Sequence, residues 1–380
     1  MSASKNLFRL GKAKFDSLLN AVKAKGYRII GPKIESDTIV FRDISGSSEL
    51  PGGWIDLQDA GSYALEPTGG EAYFGYVVGP DSPKRFLFPP EKTLWSAEKN
   101  SKEINITVKQ DEYPKTALLG VRPCELAAIA IQDRIFTEGE FIDPAYRARR
   151  ENTLLIAVNC TRAGNTCFCV SMGTGPKANS GFDIALTEVG GDHGFFIVES
   201  GSEIGDEILQ SLSLEPASDM DIEDADNAVK AAARNMGLTL DTSGLPESLK
   251  SNLDHPRYEQ AASRCLACGN CTMVCPTCFC STVIDTIDLT GKRSDRVRRW
   301  DSCFNVEHSY IHGGYIRNST MSRYRQWITH KLSSWVEQFG MSGCVGCGRC
   351  ITWCPVGIDI TEEAEAIRES IKENVKVSKG

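Results

Sequence analysis

Two short runs of cysteines with identical spacing constrain this chain more than any other feature. Residues 265–276 read CLACGNCTMVCP and residues 344–355 read CVGCGRCITWCP, so each has the form C-x2-C-x2-C-x3-C-P. Bacterial two-cluster ferredoxins hold their [4Fe–4S] cubanes with this spacing. Three closely spaced thiolates bind three irons of one cubane, and the fourth, after a longer gap, binds the other cubane. The two runs therefore predict two [4Fe–4S] clusters.

The same rule predicts which cysteines share a cluster. One cluster takes Cys265, Cys268, Cys271 and Cys354. The other takes Cys344, Cys347, Cys350 and Cys275. The alternative is a scaffold stabilised by zinc, but zinc sites usually use two cysteine pairs set well apart, which these compact runs do not match.

Seven of the 15 cysteines lie outside the two runs, and four of these belong to the N-terminal half. An apolar segment from Thr116 to Gly120 predicts a strand followed by a helix beginning near Pro123, and TLLIAVNC predicts a second strand. If these strands are parallel neighbours, the cysteines that follow them meet at one sheet edge. They form either a third iron–sulfur site or a set of buried structural thiols. These cysteines are Cys124, Cys160, Cys167 and Cys169.

The first of these four, Cys124, is expected at a helix N-terminus, where the helix dipole favours a thiolate. The last three cysteines of the chain outside the runs are expected to pack around the clusters, with direct binding of iron as the alternative. They are Cys278, Cys280 and Cys303.

The sequence contains no complete active site that can be recognised. It has no dinucleotide fingerprint, no paired carboxylates and no Ser/His/Asp order. His308 and His312, four residues apart, are expected to be solvated or packed. A rival hypothesis makes the chain catalytic, with Cys303 or Cys124 beside a cluster that keeps an open position for a sulfur substrate.

The hydrophobic pattern predicts two domains. Residues 1–245 alternate helix and strand, which indicates an α/β or α+β docking domain; helical spacing covers residues 12–25, and short strands are expected near Thr38, Phe74 and Arg85. Residues 246–380 are expected to form an α-helical ferredoxin-like domain, because helices are predicted after Pro256 and over residues 322–339.

Composition narrows the class of protein. The 380 residues carry a net charge of −8, which argues against general nucleic-acid binding. No apolar run approaches the length of a membrane span, and the N-terminus lacks the apolar core of a secretory signal. A cytoplasmic protein is therefore expected, and in a reducing compartment its cysteines are expected to bind metal rather than form disulfides.

Several strings together resemble one family. GVRPCELAAIAIQDRIF, PKRFLFPPE, TCFCVSMGTGP and RRWDSCF, taken with the two cysteine runs, are similar to the β subunit of cytoplasmic sulfhydrogenases, which are soluble NAD(P)-linked [NiFe] hydrogenases. The A subunit of anaerobic sulfite reductase is also similar. The resemblance implies an electron-transfer subunit whose clusters relay electrons from a partner that binds FAD and NAD(P) to a catalytic partner. The catalytic partner would be a [NiFe] hydrogenase or, as the alternative, a sulfite reductase.

Overall fold

The computed structural model describes residues 7–101, 103–108, 112–190 and 194–377, with side chains described up to residue 369. Its strands are β1 (Leu7–Gly11), β2 (Arg28–Glu35), β3 (Thr38–Asp43), β4 (Trp54–Asp59), β5 (Ser62–Pro67), β6 (Glu91–Lys99), β7 (Ile104–Thr107), β8 (Thr116–Val121), β9 (Thr153–Val158), β10 (Ile184–Val189), β11 (Phe195–Ser200), β12 (Glu215–Pro216), β13 (Ser281–Ile287), β14 (Arg293–Trp300), β15 (Tyr310–Ile311) and β16 (Gly314–Tyr315).

Helices connect these strands and contain more residues than the strands do in the C-terminal third. They are α1 (Phe15–Ala24), α2 (Lys84–Leu87), α3 (Pro123–Phe136), α4 (Pro144–Glu151), α5 (Glu203–Gln210), α6 (Asp219–Arg234), α7 (Leu245–Ser251), α8 (Arg257–Arg264), α9 (Asn270–Met273), α10 (Thr320–Thr329), α11 (Trp335–Phe339), α12 (Arg349–Thr352) and α13 (Ile360–Val377). None of the helices in the described residues combines the length and the apolar composition that a bilayer crossing requires.

A large mixed sheet organises the N-terminal region. Among the described residues it has eight strands in the order β12-β1-β11-β10-β9-β8-β2-β3. The central strands β2, β8, β9 and β10 run parallel, and antiparallel strands complete both edges. Apolar cores cover both faces of this sheet, as a buried parallel sheet requires. The predicted mixed α and β architecture is confirmed, and β8 and β9 are the parallel neighbours that the sequence indicated.

Two of the strands predicted near the start of the chain, those near Phe74 and Arg85, are not formed. The segment around Arg85 forms the short helix α2, because a helical turn after Pro83 lets Leu87 and Phe88 enter the same core. Residues 74–79 form no strand, because side chains replace the neighbouring strand as hydrogen-bond partners. The Arg122 guanidinium donates to the carbonyls of Phe74 and Tyr76 at 3.1 and 2.6 Å.

The C-terminal region contains more than helices. The hairpin β13–β14 lies between the two cysteine runs and pairs with β6 of the N-terminal region, forming a second sheet of order β13-β14-β6-β7. The helix expected over residues 322–339 is present as α10 and α11, but a π-helical turn from His330 to Ser334 separates the two. The α-helical ferredoxin topology of this region remains a prediction.

Candidate metal centres

Four cysteines predicted to share a cluster line one cavity near the surface. We call this group the outer site: Cys265, Cys268, Cys271 and Cys354. The first run supplies three of the thiols directly after α8, and the fourth arrives from the second run after α12. Cys268 is exposed to solvent, whereas aromatic rings of Phe304, Tyr324 and Trp327 form the walls that face the core. The structure therefore brings together the four cysteines that the spacing of the two runs assigned to one cluster.

The second predicted group lies deeper in the molecule. We call it the inner site: Cys275, Cys344, Cys347 and Cys350. Burial, and then the closeness of the neighbouring thiols including Cys275, raise the pKa of Cys344 and Cys350. A thiol can influence the pKa of another in this way only at short range, so these cysteines also lie together.

A buried lysine distinguishes the inner site. Lys331 is only 6 % exposed, and its ammonium lies 3.2 Å from Cys275 Sγ, 3.0 Å from Thr277 Oγ1 and 3.4 Å from the Gly343 carbonyl. Burial works against its charge, but the thiols of Cys275 and Cys278 outweigh burial and raise the pKa of Lys331 well above its usual value. Lys331 sits in the π-helical turn, a local irregularity that often occurs at functional positions.

Sequence reasoning missed Lys331, although the sequence carries a signal for it. Lys331 follows Ile328 by three positions and precedes Leu332, so it falls on the apolar face of the predicted helix. A lysine on a buried face requires a partner of opposite charge or a set of acceptors.

The four extra cysteines of the N-terminal half also line one cavity. We call this group the N-terminal site: Cys124, Cys160, Cys167 and Cys169. The cysteines lie at the carboxyl ends of the parallel strands β8 and β9 and in the loop that follows β9, as the sequence indicated. Apolar side chains such as Val77, Val78 and Met236 complete the cavity, and Cys347 of the inner site forms part of its wall.

The expectation that the helix dipole makes Cys124 a thiolate is wrong. Cys124 does lie in the first turn of α3, but burial, followed by the nearby thiols of Cys347 and Cys169, raises its pKa well above the usual value. Burial likewise raises the pKa of Cys167 to about 12. The loss of hydration therefore outweighs the helix dipole, and metal binding at this site would have to displace protons.

The N-terminal and inner sites are held in direct contact by backbone packing. The Phe168 N–H donates to the Gly346 carbonyl at 2.8 Å. Gly346 has φ +64°, and a Cβ at this position would lie 2.6 Å from the Phe168 carbonyl oxygen. Only glycine fits this approach without displacing backbone. The small residue within the second cysteine run therefore allows the loop of Cys167 and Cys169 to lie against it.

A buried ion pair also stabilises the contact between the N-terminal and inner sites. Arg349, within the second run, pairs with Glu125 of the VRPCE string, and both side chains are 1 % exposed. Arg349 also donates to the carbonyls of Gly79 and Asp81 at 2.8 and 3.0 Å. Buried ions require this degree of pairing. Glu125 accepts a further hydrogen bond from the Arg122 backbone at 2.8 Å, so the VRPCE string links the sheet to the inner site.

The three remaining cysteines lie on the far side of the inner site. Cys278 influences the pKa of Cys275, and Cys303 and His308 influence the pKa of Cys280, so these groups lie near one another. Sequence reasoning treated His308 as solvated or packed, but its Nδ1 lies 2.8 Å from Asp301 Oδ2. These partners are separated by the β13–β14 hairpin, so no local spacing in the sequence reveals them.

The arrangement of the thiols suits clusters better than single ions. A cubane binds one thiolate per iron, so its ligands surround a space instead of meeting at a point. The outer and N-terminal cysteines surround cavities in this way. In the portion of the chain that the structure describes, no three His, Cys, Asp or Glu side chains converge closely enough to hold one metal ion.

Comparison with known proteins agrees with this chemistry. Residues 264–358 match the family described as a 4Fe-4S dicluster domain. Across 96 % of its length the chain is 28 % identical to sulfhydrogenase 2 subunit beta of Pyrococcus furiosus, and the match covers 98 % of that protein. No solved structure matches. The predicted resemblance to sulfhydrogenase β subunits and the prediction of an iron–sulfur protein are confirmed, and the zinc alternative is not favoured.

Proposed function

We propose that the chain is a cytoplasmic electron-transfer subunit that relays electrons between a partner binding FAD and NAD(P) and a catalytic [NiFe] hydrogenase partner. Residues 1–245 act as the docking domain and residues 246–380 as the ferredoxin-like domain. The outer and inner sites each hold one [4Fe–4S] cluster, and the N-terminal site holds a third. The cysteines named for each site are the ligands.

The observation that carries this proposal is that the three cysteine groups adjoin one another in series. Cys347 of the inner site forms part of the wall of the N-terminal cavity. Cys350 of the inner site forms part of the wall of the outer cavity. The outer end of the series reaches solvent at Cys268. Such a row of adjacent one-electron carriers, with one end at the surface, suits a relay between two other proteins.

Each cluster supplies one-electron chemistry, and the residues of this chain control it. The cysteines that would hold the clusters pack against a buried apolar core. The aromatic walls of the outer site exclude water from the side that faces the core, and limited water access is one of the factors that set a cluster's potential. Lys331 places a positive charge beside the inner site.

Hydrogenase is favoured over sulfite reductase as the catalytic partner, because the relative that the chain matches over nearly its whole length is named as a sulfhydrogenase subunit. The two candidates differ in the terminal acceptor. A complex containing this chain should therefore couple the oxidation of NAD(P)H to the reduction of protons to hydrogen. A complex that reduces sulfite and lacks hydrogen activity would select the alternative.

The relay is tested in the intact complex, purified anaerobically through an affinity tag on this chain. Cys268→Ser should leave two half-reactions intact: hydrogen oxidation with a viologen dye and NAD(P)H oxidation with a dye. The complete reaction, hydrogen-dependent reduction of NAD(P)+, should fall by about tenfold or more because the series is interrupted. Ser263→Ala, an exposed change on the preceding helix, is the control. An unchanged complete reaction in Cys268→Ser would contradict the relay.

The N-terminal site is tested separately by the double variant Cys167→Ser/Cys169→Ser. Loss of about four irons per chain, with retained signals from the other clusters, is expected if these thiols bind a third cubane. Full retention of iron would make the four cysteines structural thiols and end the relay at the inner site.

A further inference from the structure

The strand β7 lies at the edge of the second sheet and has a free side. The sheet has the order β13-β14-β6-β7, and among the described residues no strand pairs with the outer side of β7. A strand in this position presents N–H and carbonyl groups that another strand can bind. Ile104 and Ile106 of β7 are 65 % and 68 % exposed. Because they are two residues apart, their side chains lie on the same face of the sheet.

The hairpin register determines which backbone groups of β7 face outward. The Asn100 N–H donates to the Glu103 carbonyl at 3.0 Å, so the backbone of Glu103 faces β6. Along an antiparallel ladder, the backbone groups of successive residues face alternately toward the neighbouring strand and away from it. The backbone of Asn105 therefore also faces β6, whereas the backbone of Ile104 and Ile106 faces outward.

The segment from Glu103 to Thr107 is complementary to a second copy of itself. If two copies run antiparallel with Asn105 on a two-fold axis, Ile104 of each copy lies opposite Ile106 of the other. Their outward-facing backbone groups can then exchange two hydrogen bonds at each such pair. The two Asn105 amides meet at the axis, where each can donate to the other, and each Thr107 hydroxyl lies opposite a Glu103 carboxylate that can accept from it.

Charge does not oppose this pairing. Residues 104–108 read INITV and carry no charged side chain. In the two-fold register, the Glu103 carboxylates of the two copies lie four positions apart along the ladder, which is about 14 Å. That separation exceeds the Debye length of about 8 Å at physiological ionic strength, so their repulsion is largely screened.

The opposite edge of the same sheet, β13, is less suited to a second copy. The Asp288 N–H donates to the Arg293 carbonyl at 2.9 Å, so by the same alternation the backbone of Asp285 and Ile287 faces outward. The Asp285 carboxylate accepts hydrogen bonds from Arg296 at 2.7 and 2.6 Å. A two-fold pairing centred on Asp285 would place two carboxylates opposite each other, which is unfavourable. The uncharged edge β7 is therefore the one that fits a second copy.

We propose that two copies of this chain associate through β7 as a two-fold dimer. Their second sheets then form one sheet, in which β13-β14-β6-β7 of one copy continues into β7-β6-β14-β13 of the other. Because β7 has only four residues, the contact is smaller than the roughly 1,200 Å² of a standard interface, and the dimer is reversible. The dimer requires no cluster, so it is tested independently of the proposed function.

Proline substitutions distinguish the two edges of the sheet. Sedimentation velocity of the anaerobically purified full chain, over a range of concentrations, should show a reversible equilibrium between monomer and dimer. Ile106→Pro removes an outward N–H from each copy and leaves the ladder with β6 intact. It therefore removes half of the hydrogen bonds between the copies and should raise the dissociation constant by about tenfold or more.

The matched control is Ile287→Pro. It makes the same change at an outward-facing position of β13 that is 71 % exposed, and it should leave the dissociation constant unchanged. Circular dichroism of both variants is compared with that of the unaltered chain, so that a folding defect is recognised.

Asn105→Cys tests the register and does not depend on the proline variants. Residues opposite each other in a non-hydrogen-bonded pair have Cα atoms about 4.5 Å apart, which a disulfide can span. Mild oxidation of the full chain should therefore join two copies through the introduced thiols, and peptide mass spectrometry should find the bridge between two identical peptides. Thr286→Cys, at an exposed position of β13, should give no such bridge.

The intact complex provides the final test. Copies of this chain that carry two different affinity tags are produced together, and both tags should be recovered after purification through either one. Ile106→Pro in both copies should separate the tags.

Three results would overturn the proposal. The first is a full chain that stays monomeric at every concentration, or a complex from which only one tag is recovered. The second is equal weakening of the dimer by Ile106→Pro and Ile287→Pro. The third is a dimer in which Asn105→Cys forms no bridge between the copies.

Discussion

The outer and inner sites are built from the same cysteine spacing, yet their surroundings differ. In both runs the first cysteine accepts a hydrogen bond from the backbone two residues later, at 3.4 Å from Ala267 N–H to Cys265 and 3.5 Å from Gly346 N–H to Cys344. The local loop is therefore nearly the same. Beyond that loop, the outer site has an exposed cysteine at position 268, whereas the inner site has a buried lysine and a buried ion pair beside it.

This difference teaches that the motif determines how a cluster is held and the surrounding fold determines its energy. A buried positive charge stabilises the reduced, more negative cluster and so raises its potential. The inner cluster is therefore expected to have the higher potential of the two. It is also expected to be the one on which the stability of the fold depends.

The comparison is tested most severely by removing the first cysteine of each run. Cys265→Ser and Cys344→Ser should each lose about four irons per chain. Cys265→Ser should keep its near-ultraviolet circular dichroism, because its site borders the surface. Cys344→Ser should lose it, because Lys331 would remain as a buried cation without its cluster. Equal loss of tertiary structure in both variants would show that the two sites do not differ in this way.

The buried ion pair at the inner site gives the next largest effect. Glu125→Gln leaves Arg349 buried without a counter-charge and should lower the free energy of unfolding by about 3–5 kcal/mol, as measured in urea. The control is Glu337→Gln, which removes the pair with Lys250 in which both side chains are 63 % exposed. An exposed pair of this kind contributes less than about 1 kcal/mol. A small effect of Glu125→Gln would mean that this pair does not stabilise the contact between the N-terminal and inner sites.

The effect of Lys331 on potential is smaller but more specific. Lys331→Gln should lower the potential of the inner cluster by roughly 100 mV, because one charge beside the cluster is lost. Lys331→Arg, which keeps the charge, should lower it much less. Potentiometric titration followed by electron paramagnetic resonance measures each cluster separately. An equal shift of both clusters would contradict a local role for Lys331.

The smallest expected effect concerns two equivalent backbone positions. Gly346→Ala places a Cβ against the Phe168 carbonyl at a positive φ and should lower stability by about 2 kcal/mol. Ala267 occupies the matching position of the first run with φ +52°, and it is partly buried. Ala267→Gly should therefore change stability by less than about 1 kcal/mol. Similar results for both variants would argue against the close approach of the N-terminal site.

The sequence predicted the local features of the sites well and the long-range ones poorly. Spacing alone grouped Cys354 with the first run, and these four cysteines line one cavity. The strands before Cys124 and Cys160 proved to be parallel neighbours. The segment at residues 74–79 was predicted as a strand because its apolar composition resembles one. Its hydrogen bonds come from the side chain of Arg122, which is remote in sequence.

The surroundings of His308 show the same limit. Cys280 and Asp301 meet only because the β13–β14 hairpin brings its ends together, and His308 reaches them after a further turn. Reading His308 against its neighbours in sequence gave no indication of either partner. Lys331 was different, because its place on the apolar face of a predicted helix was visible in the sequence.

The proposed relay requires one chain to hold three adjoining clusters in series. Iron and acid-labile sulfide, counted per chain on anaerobically purified protein, test it most directly. About twelve of each are expected, four for every site. About eight would remove the N-terminal site from the series, and values near zero would contradict the electron-transfer function altogether.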